Sequence, residues 1–224
     1  MKDALFVVNY YNFMCDNVRD SFQDAAQRWD CDYIEMTEEI FQVAYHPGAV
    51  KLSAFDLCES DRIFVIDADA IIRINCPSPF EVFDDKSFVA VKNQQPHFPG
   101  MYLYANPRIM QMELNRIYEK FPKIDFDVES FINTGVCLIN RTLHKDILEH
   151  ALEIFKVTPQ LQWYDQAPLN YALVRANAKI TLADYIWNFQ FPHPNNLNYF
   201  KAYIYHYAGL PDRYDNLPRM DWRG

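Results

Sequence analysis

The 224-residue chain is half apolar and 16% aromatic, and its 21 basic and 30 acidic residues leave a net charge of -9. Such a chain has the length and apolar content to bury a sizeable core, which excludes a disordered protein. The acidic balance argues against a broad grip on nucleic acid or anionic lipid, though a local basic cleft remains open to a phosphorylated small molecule. The five cysteines, Cys15, Cys31, Cys58, Cys76 and Cys137, are odd in number and form no CxxC pair. They read as reduced thiols in a reducing compartment rather than as a zinc site. The opening "MKDALFVVNYYNF" is broken too early for a signal peptide, and no apolar stretch reaches the length of a transmembrane segment. A soluble, cytoplasmic protein is expected.

In chain order, "ALFVV" at 4–8 reads as a buried strand. Residues 16–29 read as a helix with Val18, Phe22, Ala25, Ala26 and Trp29 on one face. A weak strand at 33–36 and a short helix at 49–58 precede a strand at 62–66, and "SFVAVK" at 87–92 is a further strand. Asn106 and Pro107 predict the start of a helix running to 121. "GVCLIN" at 135–140 is strand-like. Thr142 is expected to cap the next helix, whose apolar face is Leu143, Ile147, Leu148, Ala151, Ile154 and Phe155. A helix over about 165–177 and a last strand in "KAYIYHY" at 201–207 complete the pattern. Strands alternating with helices predict an α/β fold with a mostly parallel central sheet, and ligands bind such sheets beyond the carboxyl ends of their strands.

Asp67 and Asp69 in "RIFVIDADAIIRI" stand at such an end. Buried carboxylates need a positive partner. Residues two apart in an extended chain point the same way, so both carboxylates can meet one ion if the strand runs through Asp69. Oxygen-seeking Mg²⁺ or Mn²⁺ suits such a pair, with phosphate and water completing the shell. The plainer alternative is a solvated turn in which each aspartate caps a nearby N–H. A haloacid-dehalogenase-type phosphatase also ends a strand with DxD, but Ala70-Ile71-Ile72 follows here and none of the five glycines precedes an Asp.

Four separated stretches resemble the glycogenin-like family 8 glycosyltransferases. They are "VKLSAFDLCESDRIFVIDADAII", "INTGVCLIN" at 132–140, "WYDQAPLN" at 163–170 and "YHYAG" at 205–209, in the family's order over most of residues 4–210. The resemblance implies a GT-A (Rossmann-like nucleotide-diphospho-sugar transferase) fold in one domain over 1–224, with a nucleotide-binding half at about 1–92 and an acceptor half at about 93–224. It implies a hexosyltransferase that takes a UDP-linked nucleotide-sugar donor and a carbohydrate or glycoconjugate acceptor, with retention. By the same resemblance, Asp67, Asp69 and His206 would hold Mn²⁺ or Mg²⁺, Asp67 with the option of meeting the donor ribose. Lys51, sixteen residues before Asp67, would face the nucleotide or its phosphates. Asn9, Tyr10 and Tyr11 would hold the base, Asn93 and Asn133 would face the donor sugar, and Asp165 and Gln166 would lie near the anomeric carbon. Each has a plainer reading: a surface lysine, core tyrosines, a core histidine, a helix-capping Asp165 and a turn-forming Asn133.

Two departures stand out. The family's diphosphate-gripping Lys after His-x-x-Gly is absent from "GLPDRYDNLPRMDW", which offers Arg213 and Arg219 instead, and Asn93 stands where the family tends to have Asp. A sugar-nucleotide binding protein without turnover is the alternative to an enzyme.

Overall fold

The computed structural model describes residues 1–9, 14–37, 46–93, 107–158, 161, 165–190, 202–207 and 222–223. Strands β1 (Asp3–Val8), β2 (Asp32–Met36), β3 (Arg62–Asp67), β5 (Phe88–Lys92), β6 (Ile132–Asn140) and β7 (Ile180–Ala183) form one sheet in the order β2-β1-β3-β6-β5-β7. Strand β6 runs against both of its neighbours, while the β1–β2, β1–β3 and β5–β7 pairs are parallel. The sheet is thus mostly parallel, as the alternation of elements predicts.

Both faces of this sheet are covered, which is why its strands read as unbroken apolar runs. Leu5 and Val7 of β1 face helix α1 (Asp16–Arg28) through Val18, Phe22 and Ala25. Ala4, Phe6 and Val8 point the other way, as the two-residue period of a strand requires, and join the cluster of the opposite layer. That layer holds the short helices α2 (Pro47–Leu52) and α3 (Ala54–Leu57) and the longer α6 (Arg141–Val157) and α7 (Gln166–Arg175). The described residues also form helices α4 (Pro79–Val82) and α5 (Pro107–Tyr118) and a 3-10 turn at Tyr185–Trp187, and α5 builds a third cluster with α6 and α7 through Met110, Leu114, Ile117, Ile154 and Tyr171.

A second sheet, not anticipated from the sequence, pairs β4 (Ala70–Ile72), β9 (Ile204–His206) and β8 (Phe189–Gln190) in the order β4-β9-β8. Strand β3 ends at Asp67, close to the strand expected over 62–66, and β4 follows after a turn at Ala68–Asp69, so the condition that the strand run through Asp69 is not met. The helix expected over 49–58 divides into α2 and α3 at Ser53. Asn140, not Thr142, caps α6: its side chain accepts the Leu143 N–H at 3.0 Å, one of the donors left open at a helix start. The expected cap at Asn106 lies outside the described residues. All five cysteines are free. Among the described residues, no helix is long and apolar enough to cross a membrane.

Candidate active site

The turn between β3 and β4 carries Asp69 from one sheet to the other, and strand register does the rest. Ala70 pairs with His206 across β4 and β9, and the Tyr207 N–H donates to the Asp69 carbonyl at 2.9 Å. His206 Nε2 therefore lies 3.2 Å from Asp69 Oδ1 and 3.8 Å from Asp67 Oδ2. One ligand atom from each of Asp67, Asp69 and His206 falls within 4.8 Å of the others. The three converge through a turn and a β-ladder, not through the two-residue period of one strand. Two carboxylates and one imidazole match the donor chemistry of Mn²⁺ or Mg²⁺ with coordination positions left over.

Room for the imidazole comes from β6. A Cβ on Gly135 would lie 2.0 Å from His206 Cε1, far inside van der Waals contact. The chain bulges there: Ala90 of β5 pairs with Cys137, but the next residue, Val91, pairs with Asn133. The Asn133 side chain closes that bulge by accepting the Gly135 N–H at 2.9 Å.

A second cluster adjoins the first. His46 caps α2 through Nδ1, which accepts the Gly48 N–H, and Pro47 takes the first helical turn, where its missing N–H costs nothing. Gly48 and Lys51 lie three residues apart, on one helix face. That face meets Asp165: a Cβ on Gly48 would come within 2.9 Å of Asp165 Oδ1, and Lys51 Nζ is 3.1 Å from Asp165 Oδ2. The same ammonium is 3.1 Å from Asp67 Oδ2, so one cation bridges the two carboxylates. Lys51 is 11% exposed and is no surface lysine. Burial acts against its charge, but the Asp165 and Asp67 carboxylates win and hold it protonated, above the usual lysine range. Burial pushes Asp67 up to about 6; Asp69 and Asp165 add to the shift, while Lys51 and His206 oppose it. Asp165 occupies the N-cap position of α7 but makes no side-chain cap hydrogen bond, which sets aside its reading as a plain helix cap.

An amide network joins the rest. Asn133 Nδ2 lies 3.1 Å from Asn93 Oδ1 and 3.3 Å from Gln166 Oε1, and Asn133 Oδ1 accepts from Asn188 Nδ2 at 2.8 Å. Asn188 Oδ1 in turn lies 2.9 Å from His206 Nδ1. Asn93 is buried, and its Nδ2 makes no hydrogen bond. Asn170 pins the start of α7 to β6 by pairing its amide with both the N–H and the C=O of Ile132.

The structure thus brings Asp67, Asp69, His206, Lys51, Asp165, Gln166, Asn93 and Asn133 together. Asn9 follows Val8, which pairs with Asp67, but its buried amide is engaged elsewhere: Nδ2 donates to Glu35 Oε1 and Oδ1 accepts the Met14 N–H. Tyr10, Tyr11, Arg213 and Arg219 lie outside the described residues. Sequence reasoning missed Asn188, an isolated amide with no motif around it, and gave no role to Asn170, which closes the quoted "WYDQAPLN" stretch. It also missed the packing roles of Gly48 and Gly135, which the scarcity of glycine in this chain could have flagged.

No family model and no curated protein matches the chain by sequence. Solved structures do match. A glycosyltransferase involved in the glycosylation of the major capsid of PBCV-1 aligns over 98% of this chain and 100% of its own, at 11% identity and a TM-score of 0.65. The galactosyltransferase LgtC, solved with donor and acceptor sugar analogues, aligns over 97% of this chain and 94% of its own, at 16% identity and a TM-score of 0.57. Mouse xyloside xylosyltransferase 1 aligns over 93% and 98%, at 14% identity and a TM-score of 0.53. The fold of this chain is that of the GT-A glycosyltransferases.

Proposed function

We propose that this chain is a metal-dependent, retaining glycosyltransferase of the glycogenin-like kind, moving a hexose from a UDP-linked donor to a hydroxyl of a carbohydrate or glycoconjugate. The observation that carries this reading is the convergence of Asp67, Asp69 and His206, residues from two sheets, at the carboxyl edge of β3. Asp67, Asp69 and His206 Nε2 would hold Mn²⁺ or Mg²⁺, which when bound neutralises the charge gathering on a departing diphosphate. Lys51 donates a hydrogen bond to Asp67 and pairs with the Asp165 charge, which leaves an N–H for a phosphate oxygen. By the family resemblance Asn9, Tyr10 and Tyr11 would hold the base. Asn133 and Asn93 face the donor sugar, and the unused Asn93 Nδ2 is a donor suited to a sugar oxygen.

Asp165 and Gln166 would lie near the anomeric carbon. In this reading the Asp165 carboxylate steadies a cationic sugar. The acceptor hydroxyl then attacks the face from which the diphosphate leaves. Its oxygen bonds to the anomeric carbon, the bond from that carbon to the phosphate oxygen breaks, and the departing oxygen takes the proton. In this reading the split at about residue 92 separates the nucleotide-binding half from the acceptor half, and the five free thiols fit a cytoplasmic enzyme. The GT-A fold leaves the dehalogenase-type phosphatase without its framework.

Titration calorimetry with uridine diphosphate tests the reading. Binding should be much tighter with Mn²⁺ than with chelator, because the two aspartates otherwise repel the diphosphate. Equal affinity in chelator would overturn it. Slow metal-dependent hydrolysis of a labelled donor distinguishes an enzyme from a binding module that lacks turnover.

A further inference from the structure

We propose that Asn188 sets the proton position on His206, holding it on Nδ1 so that the Nε2 lone pair faces the space between Asp67 and Asp69. The inference deepens the metal reading above and rests on it for its purpose, though not for its test.

The Gly135 N–H has no choice of role. A backbone N–H can only donate, so the Gly135 N–H, 2.9 Å from the Asn133 side chain, fixes the atom it meets as the oxygen. That oxygen faces Asn188 at 2.8 Å, so Asn188 must present its NH₂ there. The other end of the Asn188 amide is then its oxygen, and this lies 2.9 Å from His206 Nδ1. An amide oxygen only accepts. Nδ1 must therefore carry the proton, and in the neutral ring Nε2 holds the lone pair. Orientation passes from backbone to imidazole through two buried amides, with Asn188 fully buried and His206 2% exposed. Gly135 contributes twice, since it donates the first hydrogen bond and lacks the Cβ that would strike the ring.

The same chain reaches the sugar side. Asn133 Nδ2 lies between Asn93 Oδ1 and Gln166 Oε1, so Asn133 ties the residues proposed to face the donor sugar to the amide that orients the metal ligand. Asn188 touches neither ion nor donor in this account and is a positioning residue. Partners of this type commonly change metal affinity by about ten- to a hundred-fold when removed.

The test is a long-range proton–nitrogen correlation on alkaline, chelator-treated protein labelled with ¹⁵N at histidine, with His206 assigned by His206→Gln. The wild type should show Nδ1 protonated and Nε2 bare. Asn188→Leu, which keeps the volume but loses the acceptor, should lose that signature and weaken Mn²⁺ binding by about ten- to a hundred-fold. Asn188→Asp keeps an acceptor against Nδ1 and should retain the signature, so the question stays decidable if the leucine variant does not fold. A wild-type His206 protonated on Nε2 alone, or a folded Asn188→Leu that keeps the Nδ1 proton, would overturn the proposal. A correct wild-type signature without measurable Mn²⁺ binding would support the lock and count against the metal reading.

Discussion

The two ends of the central sheet use the same residue types in opposite ways. At the amino end, Lys2 meets Asp32 at 2.7 Å with side chains 63% and 46% exposed, and Arg62 grips Asp3 through two hydrogen bonds with side chains 15% and 17% exposed. At the carboxyl end, Lys51 bridges Asp67 and Asp165 with all three largely buried. Exposed pairs gain little and cost little. Buried ones carry a desolvation cost that well-packed apolar residues would avoid. The amino end matches one cation to one carboxylate in each pair, whereas the carboxyl end gathers three carboxylates around one ammonium and one imidazole, and that excess of negative charge locates chemistry there. The amide network points the same way, because it occurs at the carboxyl end and orients groups that packing alone would leave free.

The sharpest way to break this contrast is Gly135→Ala. The added methyl must displace the His206 ring, so Mn²⁺-dependent binding of uridine diphosphate should be lost. Retained binding would mean that the ring has room to spare. Asp69→Asn should likewise abolish turnover while melting at or above the wild-type temperature, since it relieves a charge cluster. Lys51→Ala should both weaken the donor and destabilise the free protein by about 3–5 kcal/mol, the usual loss when one partner of a buried pair is removed. Chemical denaturation measures this, and an unchanged midpoint would return Lys51 to the surface class.

A pH effect on stability should come from His144, outside the site. Burial lowers it to about 4, and its Nδ1 accepts the Asn140 N–H, which only an unprotonated nitrogen can do. The folded value lies below the unfolded one, so this stability is full above about 6.5 and is lost as pH falls toward 4. At about 1.4 kcal/mol per unit the loss reaches about 3 kcal/mol. His144→Gln should flatten that part of the curve. The smallest effect is expected at the other end of the sheet: Lys2→Ala should change neither melting temperature nor nucleotide affinity.

How far the site could be read from sequence differed between these regions for physical reasons. Strands β1, β3 and β5 are buried on both faces and announce themselves as apolar runs. Strand β8 is two residues long and β4 and β9 are three, too short for any period to show, yet they bring His206 to Asp69. The aspartates were legible as a pair, but whether a strand or a turn joined them was not, and the structure has a turn at Ala68–Asp69. Thr142 lost the cap of α6 to Asn140, whose side chain reaches the open N–H of Leu143. Asn188 was invisible because its role depends on a hydrogen-bond partner far away in sequence, Asn133 on β6. Lys51 was legible as a candidate and its partners were not: Asp165 reaches it only once α7 packs behind α2.

Anomalous scattering from crystals grown with Mn²⁺ and uridine diphosphate tests the central claim most directly. The account predicts one strong manganese peak bonded to Asp69 and to His206 Nε2, with Asp67 in the same shell and diphosphate oxygens completing it. A nucleotide seated at the carboxyl edge with no manganese between it and His206 would contradict the account.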